Sequence, residues 1–305
     1  MLPAISRGAA GAVLLLLVNL SACKPPQMGH TQVIVGAVLL DGQGGPPMSD
    51  SVVIVAESRI QAVGPRASIP IPAEADKVDG ASRYLMPGLV DICEHADPPG
   101  MVHASTPEDA RAQVEKLAAA HVLLIHMAAL PAPVAQAAME AARTAKIRVA
   151  AHISTYAEAQ TMLDAGASGF VGMVRDRELD PAFVARARDL RIFFAPVLGS
   201  SAAGEEIARR NTLLLFQAGA PIAVASAGTN LQSQLELLAE AGIPPLDIVV
   251  AATRNGASAL GKLDVEGTIT AGKLANLLLL TANPGEDIHN LRKVAMRMTS
   301  SVFTR

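Results

Sequence analysis

Short apolar segments alternate with helical segments along most of the chain, and this alternation is the feature that most constrains its fold. Regular strand–helix alternation with short connections is typical of parallel βα units. A composition with 50% hydrophobic but only 3% aromatic residues suits the close packing of such units. The sequence therefore predicts an α/β fold. The predicted strands cover residues 121–127, 147–152, 168–173, 191–197 and 221–226. The predicted helices cover residues 107–120, 133–145, 156–165, 181–190, 203–218 and 231–241.

An apolar run over residues 85–92 precedes these units, is predicted to be one barrel strand, and ends abruptly in polar side chains. Parallel barrels carry their chemistry at the C-terminal ends of their strands. Two further predicted strands also end at a histidine. The candidate metal ligands at these strand ends are Cys93, His95, His126 and His152.

Thiolate and imidazole are ligands that zinc prefers, so these four side chains predict a site for zinc or another divalent metal. A site that uses all four is closed and structural, whereas three histidines and a water form a catalytic site that takes a small-molecule substrate. In the catalytic case Glu94 or Asp97 is the candidate base. Two other interpretations stay open. Cys93 is a nucleophile with His95 or His152 as its base, or no metal binds and the histidines only hydrogen-bond to loops.

The N-terminus predicts export. Arg7 precedes an apolar core, Ala9–Val18, which is shorter than the roughly 20 residues that a membrane-spanning helix needs. The following Leu-Ser-Ala-Cys run ends at Cys23 and resembles a bacterial lipobox, in which the cysteine is lipidated. Residues 1–23 are therefore predicted to be a lipoprotein signal peptide and residues 24–30 a tether. The expected location is the periplasmic face of a bacterial membrane, with the outer membrane favoured, and the alternative is an ordinary signal peptide with an incidental cysteine.

Several runs resemble signatures of the amidohydrolase superfamily. Residues 84–95, YLMPGLVDICEH, resemble its strand of the form PGLxD followed by His-x-His, and residues 31–64 resemble its opening hairpins. The tail runs IPPLDIVVAATRNGASALG and GTITAGKLANLLLLTANP resemble its closing helix and its return to a flanking sheet. The likeness is closest to the imidazolonepropionase and prolidase-like branch. It implies a TIM-like barrel over residues 85–260, a β-sandwich from residues 31–84 plus 261–305, and metal-dependent hydrolysis of C–N bonds in cyclic amides or dipeptides.

The resemblance also assigns roles to the candidate ligands. The His-x-His pair of the family falls on Cys93 and His95, where thiolate remains a good zinc ligand. The lysine that is carboxylated to bridge two metals falls on His126, which cannot be carboxylated. A later metal-binding histidine is retained as His152. The resemblance therefore implies that a lysine-bridged binuclear centre is lost.

Two further positions depart from the family pattern. A metal-binding histidine falls on Gly172, and the aspartate that acts as general base falls on Ala227. The catalytic residue is therefore unknown, and the function implied is that of an amidohydrolase-like lipoprotein whose activity is impaired or lost. The alternative is a non-catalytic periplasmic binding or scaffold lipoprotein.

The barrel is predicted to be short of strands. Only about thirty residues separate His95 from His126, room for roughly one βα unit, so six barrel strands are expected instead of eight. The fold prediction is an incomplete TIM-like (β/α) barrel with a small flanking β-sandwich formed by both chain ends. Exposed strand edges favour a covering partner, and a homo-oligomer is therefore expected. With a net charge of −3 and no basic block, nucleic-acid binding is not expected.

Side chains outside this constellation are predicted to be structural. His103, His121 and His289 are expected in solvated or loop positions, and Tyr156 is expected to pack at a helix start. Arg175–Arg177 is expected to be a solvated loop.

Overall fold

The computed structural model describes residues 31–98, 100–199, 203–299 and 302–304. The predicted signal peptide, the tether and the predicted lipidation site, Cys23, lie outside these residues. Among the helices that these residues form, none is both long and apolar enough to cross a membrane.

Two sheets organise the described part of the chain. The strands, in chain order, are β1 (Gln32–Leu39), β2 (Met48–Ala56), β3 (Arg59–Pro65), β4 (Asp76–Asp79), β5 (Tyr84–Pro87), β6 (Leu124–Met127), β7 (Arg148–Ile153), β8 (Gly169–Gly172), β9 (Phe193–Ala195), β10 (Leu277–Leu280), β11 (Val294–Thr299) and β12 (Val302–Thr304). The larger sheet has the order β12-β11-β10-β5-β1-β2-β3, with β4 also paired to β1. The smaller sheet has the order β6-β7-β8-β9, and its strands are all parallel.

The larger sheet folds back on itself. The first half of β1 pairs with β4 and the second half with β5, so the sheet forks along this strand. The free edge of β3 meets the segment before β10, where the Ile60 N–H donates to the Lys273 carbonyl over 2.9 Å. The predicted flanking β-structure formed by both chain ends is therefore confirmed. Its enclosed apolar core includes Ile34, Val53, Val55, Ile60, Leu85, Leu277 and Leu279.

Helices follow the parallel strands as the alternation predicted. Thr106 caps the first helix by accepting from the Asp109 N–H, and Thr155 forms a capping box with Glu158 in the third. Gly166 ends the third helix in the left-handed conformation. The helices are α1 (Pro107–Ala119), α2 (Ala132–Thr144), α3 (Tyr156–Ala165), α4 (Pro181–Asp189), α5 (Glu205–Gln217), α6 (Leu231–Glu240), α7 (Pro245–Val250) and α8 (Gly256–Ala259), with a π-helical turn (Ala251–Asn255) between the last two and a 3₁₀ turn at Ile288–Arg292.

Two extended segments continue the parallel sheet beyond β9. The segment 221–228 follows first, since the Ala223 N–H donates to the Phe194 carbonyl over 2.7 Å. The segment 90–94 lies next to it, because the Ile92 N–H donates to the Val224 carbonyl over 3.1 Å. With β6–β9 these segments make the six parallel barrel positions that the sequence predicted. The predicted incomplete TIM-like barrel is confirmed.

The barrel strands are shorter than the apolar pattern implied. Residues 85–92 were predicted to be one barrel strand, and this prediction is wrong. Their first part belongs to β5, which pairs with β1 and β10 in the flanking sheet. The chain then leaves that sheet, and only residues 90–94 reach the barrel. A continuous apolar run suits both settings equally, because each buries the segment on both faces.

Small side chains fill the barrel interior. Five of the ten buried residues in the interior cluster are alanine. Barrel diameter grows with strand number, so six strands enclose less space than eight, and small residues fit that space. The interior cluster consists of Ile92, Cys93, Leu124, Ala150, Val171, Phe193, Ala195, Ala223, Ala225 and Ala259.

Candidate metal centre

Three of the predicted ligands meet at the C-terminal ends of neighbouring strands. Because side chains alternate between faces along a strand, His126 points to the same side of β6 as the interior Leu124, and His152 to the same side of β7 as Ala150. His126 Nδ1 lies 3.1 Å from His152 Nε2, and Cys93 Sγ lies 3.9 Å from the same nitrogen. All three ligand atoms lie within 4.8 Å of one another.

These separations suit one four-coordinate metal ion. Tetrahedral zinc, with Zn–N bonds of about 2.0–2.1 Å and Zn–S bonds of about 2.3 Å, holds two nitrogens about 3.4 Å apart and a nitrogen and a sulfur about 3.6 Å apart. The observed 3.1 Å and 3.9 Å differ from these values by a few tenths of an ångström. Three protein ligands leave one coordination position open, which is the arrangement of catalytic rather than structural zinc. The residues therefore fit a zinc-type ion.

The two histidines are neutral near pH 7 because they are partly buried. Burial, together with the adjacent His126, lowers the pKa of His152 to about 4. Burial also lowers the pKa of His126, whose ring hydrogen-bonds to the Ile92 carbonyl. A ligating histidine commonly donates its second N–H to a backbone carbonyl, which fixes the ring orientation. Both imidazoles are therefore able to offer a lone pair to a metal.

Cys93 is protonated in the metal-free site. Burial, followed by the charge of Asp91, raises the pKa of its thiol to about 11. The thiol donates to the His95 carbonyl over 3.0 Å. Metal binding has to displace this proton, since the thiolate is the ligand.

Asp91 fixes the backbone that carries the cysteine. Its carboxylate accepts from the Cys93 N–H over 3.0 Å and from the Ser226 hydroxyl over 2.5 Å. The neighbouring segment adds a bond from the Ala227 N–H to the Cys93 carbonyl over 2.7 Å. These bonds hold Cys93 at one position between two strands. The apolar pattern gave no signal for this carboxylate contact.

His95 stands apart from the three converging ligands. Its side chain is exposed, and among the described residues the group with ligand atoms within 4.8 Å comprises Cys93, His126 and His152. The geometry therefore does not contain the predicted closed site of four ligands. His95 contributes its backbone carbonyl, which accepts the Cys93 thiol proton.

Position 172 has no room for a side chain. Gly172 has a φ of +90°, and a Cβ there would lie 2.4 Å from the Ile153 carbonyl oxygen. The backbone at the end of β8 therefore requires glycine, and a ligand could not be restored here without moving β7. At the predicted general-base position Ala227 is half-buried against the interior cluster, with an unusual φ of +45°.

Two polar side chains that the sequence did not predict to pair, the candidate base Asp97 and His103, lie at the mouth of the site. His103 Nε2 lies 3.2 Å from Asp97 Oδ1. Both groups act electrostatically on the pKa of His152, Asp97 raising it and His103 lowering it. The Gln113 side chain bonds both the N–H and the carbonyl of His103, at 3.2 Å and 2.7 Å. The available signal was the position of His103 beside Val102, which bridges to β6 next to His126.

The predicted solvated loop is partly buried instead. Arg175 Nη1 lies 2.7 Å from Glu205 Oε2, and Arg175 Nη2 donates to the Val197 carbonyl over 2.6 Å. The side chain of Arg175 is only 17% exposed. It therefore links the ends of β8 and β9 to α5. The prediction that Tyr156 packs at a helix start is confirmed, because its ring contacts Phe183 with a centroid separation of 5.6 Å.

Solved structures with the same fold include proteins named as hydrolases. Molinate hydrolase matches with a TM-score of 0.80 at 14% identity, over 91% of this chain and 95% of that chain. A putative prolidase from Bifidobacterium longum matches with a TM-score of 0.78 at 21% identity, over 91% and 95%. A protein described as an amidohydrolase matches with a TM-score of 0.75 at 13% identity, over 90% and 98%. No family model and no curated protein matches the sequence.

At these identities the likeness establishes the fold. The chain shares its fold with these hydrolases, among them a protein described as an amidohydrolase, and the family resemblance of the sequence is confirmed at the level of the fold. Within that fold its retained donors form a candidate site for a single metal ion.

Proposed function

We propose that the chain is a metal-dependent hydrolase of C–N bonds, acting on cyclic amides or dipeptide-like substrates at one divalent ion and with reduced activity. The observation that carries the proposal is the convergence of Cys93, His126 and His152 at the strand ends. A zinc-type ion held by three protein ligands would keep one position open for water. Solved structures with this fold include a putative prolidase and a protein described as an amidohydrolase, which supports the substrate class.

The residues around the ion have separate tasks. A bound zinc-type ion supplies Lewis acidity and lowers the pKa of water to about 7. Asp91 positions Cys93 through its backbone N–H. His126 and His152 are neutral and would hold the ion from two adjacent strands.

The proton acceptor has to differ from the one implied by the family resemblance, because Ala227 cannot take a proton. We assign this task to His103, which is oriented by Asp97 and held at its backbone by Gln113. A histidine paired with a carboxylate is a common general base. Its exposed position at the rim leaves the proton acceptor less pre-organised than a carboxylate inside the barrel, which is our reason for expecting weak activity.

Metal content tests the proposal first. We expect the purified chain to hold close to one zinc per molecule and to lose it in a His126→Ala, His152→Ala double variant. His289→Ala is the matched control, because that exposed histidine pairs only with Asp287 among the described residues. A metal-free wild-type chain prepared with zinc in the medium would overturn the hydrolase proposal.

Activity tests the assigned base. Zinc-loaded wild type should release product from cyclic amides or dipeptides, and a chelator should abolish the release. In His103→Gln we expect at least a tenfold loss of kcat, consistent with general-base contributions of about 100-fold or more. Zinc content should stay unchanged. An unchanged kcat in His103→Gln would refute the role of His103.

A non-catalytic binding or scaffold protein is the second candidate. It is favoured by Ala227 at the base position and by the glycine that the backbone requires at position 172. Stoichiometric zinc without hydrolysis of any cyclic amide or dipeptide tested would favour this candidate over the first.

We also propose that the chain is a lipoprotein anchored through Cys23 and facing the periplasm. The supporting observation is the Leu-Ser-Ala-Cys run after a short apolar core. Labelling with palmitate that disappears in Cys23→Ala, together with membrane fractionation, tests the anchor. A homo-oligomer that covers open strand edges remains a proposal, and light scattering in detergent tests it.

A further inference from the structure

The N-terminal ends of the barrel strands line a cavity. Residues 148, 150 and 152 lie on one face of β7, with Arg148 at one end and His152 at the other. Four residues at about 3.3 Å each put these two positions about 13 Å apart. The Arg148 end opens into a cavity of about 340 Å³. The cavity is therefore separate from the candidate metal centre.

Three arginines line this cavity, namely Arg148, Arg191 and Arg254. Of the described residues that line it, none is Asp or Glu. The chain as a whole carries a net charge of −3, so this is a local concentration of positive charge against the overall balance. Clustered guanidinium groups with no carboxylate among them are typical of phosphate and carboxylate recognition.

Arg148 is held in place but not neutralised. Its guanidinium donates to the Ser258 carbonyl and lies over the Phe193 ring, 5.1 Å from the centroid. The Phe193 ring in turn packs where a Cβ at Gly169 would lie, 2.3 Å from its nearest atom, so the ring cannot shift toward β8. Burial lowers the pKa of Arg148, as expected for a partly buried cation without a counter-ion. A bound anion would offset the free-energy cost of burying this guanidinium.

The opposite wall comes from the π-helical turn. This turn, Ala251–Asn255, and the helix that follows it supply Arg254, Asn255 and Ser258 to the cavity lining. Asn255 is fixed by its bond to the Ile222 carbonyl over 2.8 Å. π-helical turns inside α-helices are rare and occur frequently at functional sites. The irregular helix and the turn after it therefore contribute three polar side chains to this wall.

We infer that this cavity, the basal arginine pocket, is a binding site for a phosphate-type anion held by Arg148, Arg191 and Arg254. Phosphate oxygens match the planar fork of guanidinium groups, and several charges can share one phosphate. The same chemistry is offered by a free phosphomonoester and by an anionic lipid headgroup. Leu190, which is 55% exposed, lies at the rim of the pocket.

Titration of the full chain with inorganic phosphate and with glycerol phosphate, at constant ionic strength against chloride, tests the pocket. We expect saturable binding that Arg148→Met weakens at least about tenfold, since a hydrogen bond to a charged group is worth about 1.5–3 kcal/mol. Methionine keeps the apolar stem over Phe193. Arg191→Gln is the second variant, because the Arg191 side chain is exposed and its replacement is not expected to affect folding. Arg188→Gln is the matched control, because Arg188 is exposed and pairs with Asp189.

Vesicles separate the two sources of phosphate. Flotation compares phosphatidylcholine vesicles with vesicles that also contain phosphatidylglycerol, and any lipid anchor binds both kinds equally. If phosphatidylglycerol strengthens vesicle binding of the wild type but not of Arg148→Met, the ligand is a lipid headgroup. If glycerol phosphate binds in an arginine-dependent way and phosphatidylglycerol does not strengthen vesicle binding, the ligand is a soluble phosphomonoester. Equal phosphate affinity in wild type, Arg148→Met and Arg191→Gln, with no gain from phosphatidylglycerol, would overturn the inference.

Discussion

Gly172→Ala tests how the end of β8 limits the metal centre. Gly172 has a φ of +90°, and the added Cβ would lie 2.4 Å from the Ile153 carbonyl oxygen. The left-handed backbone costs a non-glycine residue about 1–2 kcal/mol. Forcing a methyl group into a filled position adds about 1–3 kcal/mol. We therefore expect a loss of about 2–5 kcal/mol in the free energy of unfolding.

Gly219→Ala separates the two costs. Gly219 has a φ of +82°, but no atom lies within 4 Å of its would-be Cβ, so only the backbone cost applies. The free energy of unfolding of Gly219→Ala should therefore fall by about 1–2 kcal/mol. Urea unfolding followed by circular dichroism measures both variants, and equal slopes ensure that midpoints can be compared. The difference of about 1–3 kcal/mol between them is the steric part.

The same substitution should weaken metal binding. Relief of the overlap has to move the Ile153 carbonyl, and Ile153 follows the candidate ligand His152 directly in β7. We expect zinc affinity to fall in Gly172→Ala and to stay unchanged in Gly219→Ala, as measured by competition with a chromogenic chelator. Equal stability losses in the two variants, or unchanged zinc affinity in Gly172→Ala, would refute the steric reasoning.

Three further predictions concern residues around the site. Ala227→Gly should raise the free energy of unfolding by about 0.5–1 kcal/mol, because the φ of +45° suits glycine better than alanine; a lower urea midpoint would contradict this. Burial alone would raise the pKa of Glu205, but the Gly199 N–H and the Arg175 and Arg209 guanidinium groups lower it below the ordinary 4.5. The folded state therefore binds the proton less readily, and the stability that wild type has over Glu205→Gln should be present near pH 6 and be lost as the pH falls below about 4.5. A constant difference between pH 6 and pH 3 in urea midpoints would be inconsistent with that shift. Since the pKa of the metal-free Cys93 thiol is raised from 9.0 to about 11, its alkylation by iodoacetamide at pH 8 should be about 100-fold slower in the native chain stripped of metal by a chelator than in urea, as followed by peptide mass spectrometry; equal rates would contradict a buried thiol.

The resemblance and the strand pattern together identified three candidate ligands that the structure brings together. Each lies at the end of an apolar run, and parallel strands end at the same side of a sheet. His95 does not converge with these three side chains, because it lies two residues beyond Cys93 on an exposed turn rather than on a strand. On a regular strand, His95 would face the same side as Cys93, because side chains two positions apart share a face. The chain leaves the strand geometry after residue 94, however.

The sequence by itself determined the βα alternation and the glycine and alanine at positions 172 and 227, whereas the flanking sheet made by both chain ends was expected from the family resemblance. The alternation and these two positions depend on local periodicity and on residue identity, which are properties of the chain alone. Tertiary structure decided the rest. It divided residues 85–92 between two sheets, brought His103 to the site mouth, buried Arg175 against Glu205, and gathered three arginines under the barrel. Contacts between residues far apart in sequence leave no periodic signal, because each partner has an ordinary local pattern and only the packing of the barrel joins them.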